Sequence, residues 1–194
     1  MNFKEMQDDV LYRLDITNDT TLRTNVKNWL NEAQDEFCNS EDFSFMEELK
    51  TYTTTASQEN EDLPTDFSKV HSVWQEESPA TLEYENPHRF RRLYPDPTAT
   101  GKSLIYRLFN DEILFYPIPD DAFSIFMRYY KIPTAMSADG DTGDVPSRWQ
   151  SALKWYALSI AKDQDDEPQA AERAMLKFDE QVAKAKIYYQ RREN

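Results

Sequence analysis

Ser103-Leu104-Ile105-Tyr106-Arg107-Leu108-Phe109-Asn110-Asp111-Glu112-Ile113-Leu114-Phe115-Tyr116-Pro117 is two apolar and aromatic runs joined by a two-residue polar break. Asn and Asp tolerate left-handed backbone, so Asn110-Asp111 fits a tight hairpin between strands at 103–109 and 112–117. A third strand follows at 123–130, where Phe123, Ile125, Met127 and Tyr129 alternate with Ser124, Phe126, Arg128 and Tyr130. Aromatics stand on both of its faces, which predicts a strand covered on both sides. Weaker strand candidates precede the hairpin at 50–55, 69–74 and 81–84. Between these weaker candidates and the hairpin, Asn86-Pro87 starts a helix of one or two turns that Pro95 stops, followed by a loop over 96–102.

Outward from this β-rich centre the pattern becomes helical. Phe3, Met6, Val10, Leu11 and Leu14 form one stripe of a 3.6-residue period, with Asn2 and Glu5 spaced as a cap and its reciprocal partner. The stretch 16–19 breaks that helix. Asp19 or Thr20 then caps a second one, carrying Leu22, Val26, Trp29, Leu30, Ala33 and Phe37 and fading near Asn39-Ser40. Beyond a polar loop at 137–144, Pro146 is expected to open a third long helix with Trp149, Ala152, Leu153, Tyr156, Ala157 and Ile160 on its face. Pro168 opens a fourth, in which Ala171, Met175, Phe178, Val182, Ala185 and Tyr189 form a heptad seam. That seam serves either packing within a bundle or an intermolecular coiled coil. The expectation is an α+β chain. It has a four-helix body and a central antiparallel β insert, divided as 1–42, 43–135 and 136–194.

Composition narrows the function. The 194 residues include 11 Phe, 11 Tyr and 4 Trp, enough to bury a core without disulfides or metals. With only 3 Gly, positive-φ positions must fall to Asn and Asp. The 36 acidic and 22 basic residues give a net charge of -14, which disfavours gripping nucleic acid or an acidic membrane. The first nine residues hold no apolar core of a signal peptide, and no run approaches the roughly 18 apolar residues of a membrane helix. Cys38 is alone, so no internal disulfide forms and a reducing compartment fits. The protein is expected to be cytosolic when made.

Catalytic patterns are scarce. His71 and His88 stand in no spacing with Cys or carboxylates that suggests zinc. Glu47-Glu48, Glu76-Glu77, Asp120-Asp121 and Asp165-Asp166-Glu167 read as solvated surface. Asp139-Gly140-Asp141-Thr142-Gly143-Asp144 faintly resembles a calcium loop but lacks its terminal Glu. No nucleophile elbow or Gly-rich phosphate loop occurs. The expectation is a non-enzymatic protein without catalytic residues, cofactor or metal. Two basic features interrupt the acidic background. One is Arg89, Arg91 and Arg92 with Phe90 and Tyr94. The other is Lys184, Lys186, Arg191 and Arg192 with Tyr188 and Tyr189. Cations near a helix C-terminus offset the macrodipole, and Tyr and Arg also anchor partners; both readings stand.

Taken in order, several segments resemble the head-to-tail adaptor proteins of tailed bacteriophages. They are Phe3-Lys4-Glu5-Met6-Gln7-Asp8-Asp9-Val10-Leu11-Tyr12-Arg13-Leu14, Val26-Lys27-Asn28-Trp29-Leu30-Asn31-Glu32-Ala33-Gln34-Asp35-Glu36 and Leu63-Pro64-Thr65-Asp66-Phe67. Leu114-Phe115-Tyr116-Pro117-Ile118-Pro119, Arg128-Tyr129-Tyr130-Lys131 and Val145-Pro146-Ser147-Arg148-Trp149 complete the order. The resemblance implies a homo-oligomeric ring, typically a dodecamer, in the virion neck below the portal, assembled in the host cytoplasm. A tail or nozzle protein would lie beneath it, genomic DNA would pass through its lumen, and no membrane is involved. It also implies that the C-terminal segment, with Tyr188, Tyr189, Arg191 and Arg192, reaches the portal. Apart from the resemblance, the residues Arg89, Phe90, Arg91 and Arg92 are read as serving another interface. The alternatives are another head-completion or tail component, or an acidic DNA-mimic inhibitor.

Overall fold

Asn2 opens the first helix, α1 (Phe3–Arg13), with the reciprocal cap that its spacing predicts. Its side chain accepts from the Glu5 N–H at 2.8 Å, and the Glu5 carboxylate accepts from the Asn2 N–H at 2.9 Å. The computed structural model describes residues 1–16, 19–76, 81–94 and 96–193, the side chains of 192 and 193 excepted. Thr17 and Asn18 in the expected break, Glu77, the stop at Pro95, the Arg192 side chain and Asn194 lie outside the described residues. Asp19 caps α2 (Thr20–Asn39) by accepting from the Leu22 N–H. A short 3-10 turn at Ser44–Met46 follows.

The chain forms two compact units, one of Met1–Met46 with Ile132–Asn194 and one of Glu47–Lys131. The first holds α1, α2, α4 (Gln150–Gln164) and α5 (Pro168–Glu193). In it α4 packs on α5 and α2, and α1 packs on α2 and α4. Its core is Phe3, Met6, Val10, Leu30, Phe37 and Leu153, all essentially inaccessible, with Phe178 set edge-on to the Phe37 and Tyr156 rings. Two sequence expectations shift here. Pro146 does not open α4. It closes a turn with Trp149, and the buried Gln150 amide donates to the carbonyls of Thr142 and Val145, tying that turn to the loop before the helix begins. On α5 the buried seam runs through Ala174 while Met175 is 37% exposed, because a 3.6-residue helix rotates away from a strict heptad line.

The second unit is two sheets and a helix. Its strands are β1 (Glu47–Thr53), β2 (Asn60–Asp62), β3 (Phe67–Gln75), β4 (Glu83–Tyr84), β5 (Ile105–Phe109), β6 (Glu112–Tyr116) and β7 (Ser124–Lys131), with α3 (Pro87–Leu93) between β4 and β5. One sheet is ordered β1-β7-β3 and antiparallel. The other is ordered β2-β6-β5-β4, with β4 parallel to β5. Asn110, at φ 53, turns the β5–β6 hairpin as the Asn-Asp pair predicts. Tyr52, Val73, Ile125, Met127 and Tyr129 of the first sheet pack with Tyr106, Ile113 and Phe115 of the second. On the other face of the second sheet, Ile105 and Tyr116 meet Phe90 of α3.

β7 is the central strand of its sheet, which explains its aromatics on both faces. The outer face is only half covered. Phe126 stacks on Trp74 at 5.6 Å and Tyr130 meets His71, but Arg128 is exposed, so cover comes from neighbouring strands of the same sheet. β2, too short and acidic to carry a strand signal, was not expected. The chain is α+β.

Candidate interaction surfaces

The acidic loop at 137–144 is a structural clasp. Asp141 Oδ2 accepts from the Ser137 and Ala138 N–H groups at 2.7 and 2.8 Å, which holds its carboxyl below the usual range. Asp144 Oδ2 accepts from the Thr134 N–H. The loop's carbonyls at Asp139 and Asp141 accept from the Lys4 and Phe3 N–H groups, so it satisfies donors at the start of α1 that no helix can. Two polar residues on α2 hold the loop from below. Asn31 both donates to and accepts from the Met136 backbone, and the fully buried Gln34 donates to the Thr134 carbonyl while accepting from the Asp144 N–H. These carboxylates are therefore occupied by backbone donors. Among the described residues no group of three or more His, Cys, Asp or Glu could hold a metal ion.

His71 and His88 are both exposed. His71 Nδ1 lies 3.1 Å from the neighbouring Ser72 hydroxyl.

The basic helix α3 starts as its sequence predicts, with Asn86 accepting from the His88 N–H and Pro87 in the first turn. Phe90 is 4% exposed and meets the Tyr116 ring edge-on at 4.9 Å, so it anchors the helix to the sheet. The Arg107 guanidinium also lies against it, 3.9 Å from the ring centroid. Arg89 sits 3.6 Å from the Glu85 carboxylate, too far for a hydrogen bond. Arg91 and Arg92 are exposed. Arg91 and Arg107 share the wall of a cleft of about 460 Å³, whose apolar part is Leu108, Phe109 and Leu114. Arg107 faces Glu59 at 3.7 Å, and its Nε is buried without a hydrogen-bond partner. Arg107 was not legible in the sequence, because nothing local to a strand residue tells that it packs against the ring of a helix seventeen positions back.

The C-terminal cluster divides. Tyr189 is 8% exposed, with its ring against Phe43 at 5.5 Å and Phe45 at 5.2 Å. Tyr188 is half-buried between Trp149 and the Arg148 guanidinium. Lys184 and Lys186 approach Glu180 and Glu41 at 3.7 and 3.9 Å, while Arg191 is exposed. The Trp149–Tyr188 contact marks where α4 begins, so α5 runs on past its partner helix for its last turn. The described residues contain no helix long and apolar enough to cross a membrane.

A family model described as SU10 adaptor protein matches residues 1–194. The chain belongs to this phage head-to-tail adaptor family. No match was found among curated proteins. Membership of an adaptor family implies interaction with other virion components. In this adaptor the two basic features are the candidates, one ending the helical unit and one on the β-rich unit.

Proposed function

We propose that this adaptor assembles as a homo-oligomeric ring, a dodecamer by family resemblance, between the portal and the tail or nozzle protein. The observation that carries the reading is a family match spanning residues 1–194. Genomic DNA passes through the lumen without sequence preference. The net charge of -14 supports this, because a wall that repels phosphate lets DNA slide without sticking. The role is structural and non-enzymatic, and the protein joins the virion neck after assembly in the host cytoplasm.

In this reading the end of α5 faces the portal. Tyr189 holds the helix in place from inside the unit, and Tyr188 and the exposed Arg191 stand where α5 outruns α4. The test is a pull-down of the purified chain on portal, with the mass of the complex read by light scattering. Many copies per portal support the ring. A stable monomer with no portal binding removes it, and binding to a DNA-handling enzyme instead would support an acidic inhibitor. Ending the chain at Gln190 keeps Tyr189 and the fold. The expected result is unchanged circular dichroism with weakened portal binding, and unchanged binding would remove the C-terminal assignment.

A further inference from the structure

Two charged faces of this chain lack counter-ions among the described residues, and their signs are opposite. On α3, Arg91 and Arg92 make no ion pair or hydrogen bond among the described residues, although the chain holds 36 carboxylates against 22 basic groups. On α2, Glu32, Asp35 and Glu36 stand at i, i+3 and i+4 on the exposed side. That spacing gathers three carboxylates on one patch. Among the described residues no cation pairs with any of them; the Tyr156 hydroxyl, 3.2 Å from Glu32 Oε1, is the neutral neighbour. Burial, then Glu32, pushes the Asp35 carboxyl above its ordinary value, and burial followed by Glu32 pushes the Tyr156 hydroxyl up to about 12. The patch is electrostatically self-repelling in a lone chain.

We infer that the α3 face of one copy docks on the α2 carboxylate face of the next copy, with one carboxylate entering the cleft between Arg91 and Arg107. The inference rests on the ring reading above. A closed ring uses heterologous contacts, in which each copy presents two different complementary patches, and these are such a pair. Guanidinium groups accept a carboxylate through two parallel hydrogen bonds, and Arg107 Nε is a buried donor that lacks a partner. Phe109, 60% exposed at the cleft, supplies apolar surface to exclude water around the pair. The cleft also contains Glu59 and Glu112, which oppose the many charges of a continuous polyphosphate more strongly than the one charge of a carboxylate. A nucleic-acid strand is therefore the poorer occupant.

The experiment uses two full-length variants, Arg91→Glu with Arg92→Glu, and Glu32→Lys with Asp35→Lys and Glu36→Lys. Assembly is read as particle mass with and without portal. Each variant alone places like charges in every contact and is expected to assemble at least tenfold more weakly than wild type. Mixed one to one, the variants restore opposite charges at both kinds of junction, and assembly is expected to return. Wild-type-like assembly by either variant alone, or a mixture of folded variants that stays apart, overturns the inference while leaving the ring reading intact. A wild-type chain that forms no multi-copy complex in either condition removes both. If a reversal disturbs the circular dichroism, the Arg91→Gln/Arg92→Gln and Glu32→Gln/Asp35→Gln/Glu36→Gln chains replace it. Undiminished assembly by those chains also overturns the inference.

Discussion

Gly143 is the residue at which the clasp is least forgiving. Its φ of +69 lies in the left-handed region, and a Cβ there would run into Gln34 Oε1 and approach Met136 Sδ at 3.0 Å. Gly143→Ala is expected to cost about 2–3 kcal/mol, from backbone strain and displacement of a fully buried amide. A lower midpoint of the helical signal in thermal unfolding checks it, and an unchanged midpoint would show that Gln34 swings aside freely. Asp35 behaves in the opposite sense. Its folded-state pKa is raised, so the proton binds the folded chain more tightly than the unfolded one. The charged form therefore opposes folding above the folded pKa, and that penalty fades as pH falls toward the ordinary carboxyl value of 3.8. Asp35→Asn should slightly stabilise the lone chain at pH 7, by well under about 1 kcal/mol because the group is exposed and screened. The gain should vanish near pH 4 in paired urea titrations. Positive-φ positions at Asp15, Asn110 and Asp166 follow the expectation for a glycine-poor chain, with Ser57 the exception.

At the scale of elements, the helices owe their position to a few aromatic contacts. Phe178 is 3% exposed and touches both Phe37 of α2 and Tyr156 of α4, so it ties α5 to two helices at once. Phe178→Ala is expected to cost about 3–5 kcal/mol through lost burial and the cavity left behind. A loss below about 1 kcal/mol in chemical unfolding would mean the seam closes over the gap. Caps and starts of α1, α2, α3 and α5 were readable because they depend on neighbours within four residues. The start of α4 was not, because Gln150 commits its amide to carbonyls of the preceding loop. Similarly, nothing near Asn31 and Gln34 in the sequence sets them apart from ordinary polar residues of α2. Their hydrogen bonds go to a segment about a hundred residues away, and no local pattern announces that.

At the scale of the molecule, the β-rich unit enters and leaves the chain through neighbouring strands, since Glu47 pairs with Tyr130 in the β1–β7 ladder. Its ends are thus about 5 Å apart, and a short link could replace it. Joining Met46 to Ile132 through a few Gly and Ser residues should leave a folded helical protein that unfolds cooperatively, measured by circular dichroism; a molten product would show that the helical unit needs the insert. Residue order alone was enough for the α+β class, the hairpin at Asn110, the capped helices, the strong negative charge and the adaptor resemblance. All of these rest on local backbone preference, short-period burial or composition. The parallel β4–β5 pairing, the seating of Phe90 between Arg107 and Tyr116, the burial of Tyr189 and the opposition of Arg91 to Arg107 required the folded chain. Each depends on which distant segments share a surface, and that is set by packing rather than by any neighbouring residue.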